Sequence, residues 1–176
     1  MTTDEIKAKV IDYAYGCGIN PNLALAQINR ESGFNPGAVG SSGERGLAQF
    51  MPGTWQRFAP QGIGFDQAFD VDYNLSAWCS YMAYLSGLFG GDMRKVLIAY
   101  NGGEGHLLDP GRYGAPSSAA IGYADAILAA SGDWPSGDVV TSTDGGAPPP
   151  PQSDSGATTM ILIGLGLVVA LFAFRR

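Results

Sequence analysis

Apolar side chains that recur every three or four positions predict an amphipathic helix at the start of the chain. Thr2 and Glu5 have the spacing of a capping box, in which two side chains satisfy free backbone N–H groups at a helix start. The apolar stripe that follows consists of Ile6, Val10, Ile11 and Ala14. Gly16 and Gly18 interrupt the pattern, so the helix is expected to end there.

Four more helices are predicted by the same combination of a capping residue and an apolar face. The second begins at Pro21 behind Asn20, and Glu31 falls near its end. The others begin behind Asp72, Asp92 and Ser117 or Ser118, and run through about Gly87, Tyr100 and Ala130. No run alternates apolar and polar side chains as a strand does, so a sheet is expected to be absent or tiny. The pattern predicts a mainly α domain over residues 1–134.

The pattern changes after residue 134. Residues 135–156 are mostly Pro, Gly, Ser, Thr and Asp, and include four successive prolines from Pro148 to Pro151. Such a composition buries too little apolar surface to fold. This segment is therefore predicted to be a disordered linker, with an extended polyproline stretch in it.

Residues 157–176 predict one C-terminal transmembrane helix. No charged side chain occurs from Ala157 to Phe174, and Arg175 and Arg176 follow. At about 1.5 Å per residue, the uncharged stretch gives roughly 27 Å of helix, close to the roughly 30 Å of a bilayer core. The two arginines are expected to lie among the lipid headgroups at one face.

Composition and charge exclude some classes of function. A net charge of -6 argues against nucleic acid as a partner, because nucleic-acid binding usually needs a basic face. With one histidine and two cysteines, the chain lacks the ligands of a typical metal site, and neither a metal nor another cofactor is expected. Cys17 and Cys79 allow one disulfide, but two buried thiols are the expected state.

Three short segments occur in a fixed order within the predicted domain. ESGFNP starts at Glu31, GLAQFMPGT runs from Gly46 to Thr54, and AYNGG runs from Ala99 to Gly103. Together they resemble the signature of the soluble lytic transglycosylase (SLT) family, over roughly residues 5–130. The resemblance implies a lysozyme-like helical fold of the goose-type lysozyme and SLT kind. It also implies an enzyme that cleaves the glycan strands of peptidoglycan.

The resemblance assigns roles to individual residues. Its context alone would make Glu31 a solvated charge at a helix end, whereas the family match implies that Glu31 is the single catalytic acid and base. The residues implied to bind or position the substrate are Gln49, Met51, Tyr100, Asn101 and Tyr123. The last of these rests on a shorter match, IGYADAIL, which implies a tyrosine close to the catalytic carboxyl.

Three positions depart from the family pattern. Many members have a serine that hydrogen-bonds the catalytic carboxyl at the position of Gly40, so either Ser41 or Ser42 replaces it or the bond is lost. Glu44 stands where alanine is frequent, and Glu104 stands where proline is common. Glu44 is also the nearest sequence candidate for the partner that a two-carboxylate glycosidase needs, but the sequence does not indicate where it points.

The family reaction cleaves the bond between N-acetylmuramic acid and N-acetylglucosamine and closes a 1,6-anhydro ring. A lysozyme-type hydrolase with the same fold and the same glutamate is one alternative. A non-catalytic wall-binding or virion structural protein is another. The expected partners are peptidoglycan glycan strands and, through the C-terminal helix, a lipid bilayer.

The expected location must suit both the expected peptidoglycan substrate and the predicted membrane helix. The segment MTTDEIKAKV lacks the basic and apolar regions of a signal peptide, although peptidoglycan lies outside the bacterial inner membrane. One interpretation is an enzyme anchored in the membrane of a bacteriophage particle, with other virion proteins as neighbours, that degrades the wall locally during entry. The rival location is the bacterial inner membrane, with the domain facing the periplasm.

Overall fold

The computed structural model describes residues 1–132, which form a mainly α domain as predicted. Its helices are α1 (Thr3–Gly16), α2 (Pro21–Ser32), α3 (Pro52–Phe58), a 3-10 helix (Phe65–Phe69), α4 (Val71–Leu88), α5 (Met93–Gly102), α6 (Gly105–Leu108), α7 (Pro110–Tyr113) and α8 (Ser118–Ser131). The β pairing within these residues amounts to two isolated bridges, from Arg45 to Val39 and to Phe50. The predicted linker, residues 135–156, and the predicted anchor, residues 157–176, lie outside the described residues.

The predicted capping box begins α1. The Thr2 hydroxyl accepts a hydrogen bond from the Glu5 N–H at 3.2 Å, and the Glu5 carboxylate accepts one from the Thr2 N–H at 2.7 Å. Three residues of the predicted stripe, Ile6, Val10 and Ala14, are buried. Ile11 is only partly buried, because it lies at the edge of the face that packs on the neighbouring helices.

The start of α4 differs from the prediction. Its N-cap is Asp70, whose carboxylate accepts a hydrogen bond from the Tyr73 N–H at 3.0 Å, and not Asp72. Asp72 is already inside the first turn and pairs with Lys9 of α1 at 2.6 Å. Its carboxylate also accepts a hydrogen bond from the Tyr13 hydroxyl at 3.3 Å. Asp72 therefore ties α4 to α1.

Cys17 and Cys79 form a disulfide, so the expectation of two buried thiols was wrong. Cys17 follows the last residue of α1, and Cys79 lies in the middle of α4. Because α1 packs along α4, the two Cα atoms are 5.7 Å apart, within the usual range for a disulfide. The bridge joins segments 62 residues apart in the chain.

The core forms around α4, which is the longest helix of residues 1–132. Its fully buried side chains include Leu75, Trp78, Met82 and Leu85. Helix α8 packs against both α2 and α5, and α5 packs against α4. Helix α8 thus lies between α2 and α5 in the packing and contacts both. Among residues 1–132, no helix combines the length and the apolar character needed to cross a bilayer.

Candidate active site

A cleft with a cavity of about 300 Å³ lies where α2, α4 and α5 meet the loop that connects α2 to α3. It contains five of the six predicted site residues, which come from three separate segments of the chain. The residues that line it are Glu31, Gly40, Ser41, Glu44, Gln49, Phe50, Met51, Thr54, Tyr81, Tyr100 and Asn101. The sixth predicted residue, Tyr123, reaches the cleft from α8 through a hydrogen bond to Glu31.

Glu31 occupies the last turn of α2, just before Gly33 ends the helix. The pKa of its carboxyl is raised to about 7, chiefly because the group is buried and to a lesser extent because of the nearby negative charge of Glu44. The hydrogen bond from Tyr123 and the charge of Arg30 act in the opposite direction and lower the pKa, but burial is the largest effect. A substantial fraction of Glu31 therefore keeps its proton near neutral pH, as a general acid requires.

A chain of three hydrogen bonds leads from the core to Glu31. The Trp78 indole N–H donates to the side-chain oxygen of Gln27 at 3.1 Å. The Gln27 amide nitrogen donates to the Tyr123 hydroxyl oxygen at 3.2 Å. The Tyr123 hydroxyl in turn donates to a carboxylate oxygen of Glu31.

The direction of this chain is fixed by Trp78. An indole N–H can only donate, so Gln27 must turn its oxygen towards Trp78 and its nitrogen towards Tyr123. The Tyr123 oxygen then accepts, and its own hydrogen is left to point at Glu31. Gln27 and Glu31 are four residues apart in α2, so they share one face of the helix. Gln27 is fully buried, and this network satisfies its polar atoms.

Gln49 lies in the cleft wall in a left-handed backbone conformation, with φ of 50°. Its side-chain nitrogen donates to the carbonyl of Gly46 at 2.9 Å and to that of Ala38 at 3.3 Å. Both bonds stay within the loop, so they hold the side chain in place. The side-chain oxygen is the atom of Gln49 that remains for a ligand in the cleft.

Tyr100 is fixed by a second network. Its hydroxyl donates to the Ala48 carbonyl at 2.7 Å, and the Ala48 N–H donates to Asn74 of α4 at 2.9 Å. The side-chain nitrogen of Asn74 donates to the Ala68 carbonyl at 2.7 Å. Gly46 packs against these same groups with φ of 77°, and a Cβ there would collide with Ala68 and Asn74. The segment from Gly46 to Thr54 is thus held against α4 and α5 by hydrogen bonds to the backbone of Ala48.

Sequence reasoning did not identify Tyr81 as a cleft residue. Its apolar neighbours in α4 made it look like part of the core, and it is indeed 6 % exposed, yet it lines the cavity. Its ring packs on Tyr100 with a centroid distance of 5.1 Å and on Phe58 at 4.6 Å. No feature of the sequence separates a buried tyrosine that borders a cleft from one that does not.

In the described residues, neither serine next to Gly40 takes over the hydrogen bond of the family serine. Within residues 1–132, neither Ser41 nor Ser42 donates a hydrogen bond to Glu31, and the side-chain donor present is Tyr123. Ser41 lines the cleft, while the Ser42 N–H donates to the Glu44 carboxylate at 2.9 Å. Glu104 lies at the edge of the domain, where it pairs with Arg57 at 3.2 Å.

Comparisons with known proteins point to one family. The family model of the Transglycosylase SLT domain matches residues 9–119. The soluble lytic murein transglycosylase of Salmonella typhimurium is 31% identical over 100 residues, which are 54% of this chain and 16% of that protein. The membrane-bound lytic murein transglycosylase C of Edwardsiella ictaluri is 35% identical over 104 residues, 52% of this chain and 29% of that protein.

Solved structures give the same result for the fold. The 70 kDa soluble lytic transglycosylase of Escherichia coli matches with a TM-score of 0.59 and 27% identity, over 73% of this chain and 23% of that one. The complex of the 70-kDa soluble lytic transglycosylase with bulgecin A matches with a TM-score of 0.62 and 26% identity, with the same coverage. The chain thus spans less than a third of the length of these relatives. The lysozyme-like helical fold expected from the sequence is confirmed.

Proposed function

Because the chain belongs to the transglycosylase SLT domain family, we propose that it is a peptidoglycan lytic transglycosylase. The observation that carries the proposal is Glu31, a partly buried carboxyl with a pKa of about 7 in a cleft lined by the family's motif residues. The names of its relatives, which are lytic murein transglycosylases, support the same activity.

In the proposed reaction, Glu31 serves first as acid and then as base. Its carboxyl proton passes to the oxygen that joins N-acetylmuramic acid to N-acetylglucosamine, and the bond to the muramic anomeric carbon breaks. Positive charge develops at that carbon, and the substrate's own N-acetyl group assists. The Glu31 carboxylate then takes the proton of the C6 hydroxyl, whose oxygen bonds to the anomeric carbon and closes the 1,6-anhydro ring.

The other cleft residues supply binding and orientation in this proposal. Met51, which is 42% exposed, and Asn101 offer accessible contacts for sugar rings and hydroxyl groups. Gln49 offers its side-chain oxygen, and Tyr100 shapes the wall beside Glu31. Tyr123 holds the carboxyl through its hydrogen bond and so sets which oxygen carries the proton.

The decisive experiment is Glu31→Gln, with released muropeptides measured by mass spectrometry after digestion of purified peptidoglycan. The amide keeps the shape of the carboxyl but has no proton to donate, so cleavage should fall by at least about 100-fold. Asp12→Asn on the exposed face of α1 is the matched control and should cleave like the native protein. Cleavage by Glu31→Gln at the native rate removes Glu31 from the catalytic role.

We propose further that residues 135–156 tether the domain and that residues 157–176 anchor it in a bilayer. The apolar, uncharged stretch before Arg175 and Arg176 supports the anchor. We place that bilayer in a bacteriophage particle, where a tethered wall-degrading domain suits local opening of the wall during entry. Recovery of the protein in purified particles supports this location. Recovery only in bacterial membranes supports the inner-membrane alternative.

A further inference from the structure

A second carboxylate, that of Glu44, lines the same cleft as Glu31. It comes from a different segment, the turn of the loop between the bridge partners Val39 and Arg45. The sequence could not indicate its direction, and the structure turns it towards the cavity. Its negative charge is close enough to Glu31 to raise the pKa of that carboxyl.

The loop is built to hold this carboxylate in place. One oxygen of Glu44 accepts a hydrogen bond from the Ser42 N–H at 2.9 Å. The carboxylate lies against the backbone of Gly40, and a Cβ at that position would collide with it. Gly40 thus makes room for Glu44. Within residues 1–132, Glu44 forms no ion pair, so its charge is not neutralised by a neighbouring cation.

From this placement we propose that Glu44 is a second catalytic carboxylate that directs water to the anomeric carbon, so that part of the glycan cleavage ends as hydrolysis. The inference rests on the proposed function, because it needs Glu31 to cleave the same bond. It adds that the cleft contains a base for water in addition to the base for the C6 hydroxyl. The product should therefore be a mixture of anhydro ends and reducing ends.

The hydrolytic branch balances with the two carboxyl groups and one water. Glu31 gives its proton to the bridging oxygen, and the bond from that oxygen to the anomeric carbon breaks. The water oxygen bonds to the same carbon, and one water proton moves to the Glu44 carboxylate. Solvent then returns a proton from Glu44 to Glu31, which restores the starting state.

The test is the ratio of anhydro to reducing muramic ends, measured by mass spectrometry for the native full chain, Glu44→Gln and Asp12→Asn. Gln at position 44 keeps an oxygen that accepts from the Ser42 N–H but cannot take a proton. A general base contributes about 10²–10⁴ to its step, so reducing ends per cleavage should fall by about tenfold or more in Glu44→Gln. Asp12→Asn removes an acidic charge outside the cleft and should leave the ratio unchanged.

The outcomes separate the inference from the proposed function. If Glu31→Gln abolishes cleavage but Glu44→Gln gives the native product ratio, Glu44 is no base and the inference fails alone. Anhydro ends as the sole product of the native protein also overturn it. If Glu44→Asp restores reducing ends that Glu44→Gln has lost, the carboxylate itself is responsible, because a merely structural role would not move the ratio. No cleavage by the native protein overturns both proposals.

Discussion

The chemistry of single residues centres on the proton of Glu31. Because the pKa of Glu31 is raised to about 7, its acidic form is lost as the pH rises through neutrality. The rate of glycan cleavage should therefore fall on the alkaline side of about pH 7, by roughly tenfold per pH unit once the carboxyl is mostly ionised. The hydrogen bond from Tyr123 lowers this pKa, because it stabilises the carboxylate.

Replacing Tyr123 with Phe should therefore move the alkaline limb of the pH–rate profile to higher pH. The same change leaves the buried amide nitrogen of Gln27 without its acceptor, so the free energy of unfolding should fall by about 1–3 kcal/mol. Initial rates across pH and urea denaturation measure the two effects. Tyr15→Phe on the exposed side of α1 is the control for loss of a hydroxyl. An unmoved limb, or a shift to lower pH, contradicts the role given to Tyr123.

At the scale of elements, the disulfide joins α1 to α4, and neither of its cysteines lines the cleft. Closing a loop across 62 residues removes much of the freedom of the unfolded chain. Cys17→Ala with Cys79→Ala should lower the free energy of unfolding by about 2–4 kcal/mol and leave the cleavage rate of the folded protein nearly unchanged.

Urea denaturation with and without a reducing agent measures this effect. The native protein in reductant should approach the stability of the double alanine variant, while the variant itself should not respond to reductant. Equal stability of the native protein in both conditions means that the bridge contributes nothing to stability.

The helices that were predicted from the sequence are those whose capping residues and apolar positions lie within a few residues of one another. Thr2 and Glu5 cap α1 as expected, because a capping box involves residues only three positions apart. The start of α4 was misplaced by two residues, because Asp70 and Asp72 both precede the same apolar run, and only the path of the backbone decides which one caps.

The residues of the cleft also divide into those that short sequence patterns identified and those that only the structure shows. The motif residues of the cleft were found because they lie in short contiguous segments, starting with Glu31. Gln27 and Tyr81 were missed because each lies on an apolar helix face, where a polar group looks like an ordinary member of the core. The direction of Glu44 depends on Gly40 and on the turn between them, which no local pattern fixes.

At the scale of the whole molecule, the question is how the domain reaches its substrate. If the 22 residues from 135 to 156 are an extended linker, they span at most roughly 7 nm, at about 3.1 Å per residue. An anchored domain would then work only on glycan strands close to its own membrane. The proposed anchor is therefore also a limit on where the enzyme can act.

Flotation of the full chain with phospholipid vesicles tests the anchor directly. The native protein should rise with the vesicles through a density gradient. Leu165→Asp with Val169→Asp should remain at the bottom, because each charge at the centre of a membrane helix costs about 2.5–3.5 kcal/mol. Ser153→Asp with Ser155→Asp adds the same charge within the predicted linker and should still float. If the Leu165 and Val169 variant also floats, membrane binding does not depend on the apolar segment, and the limit on reach disappears with it.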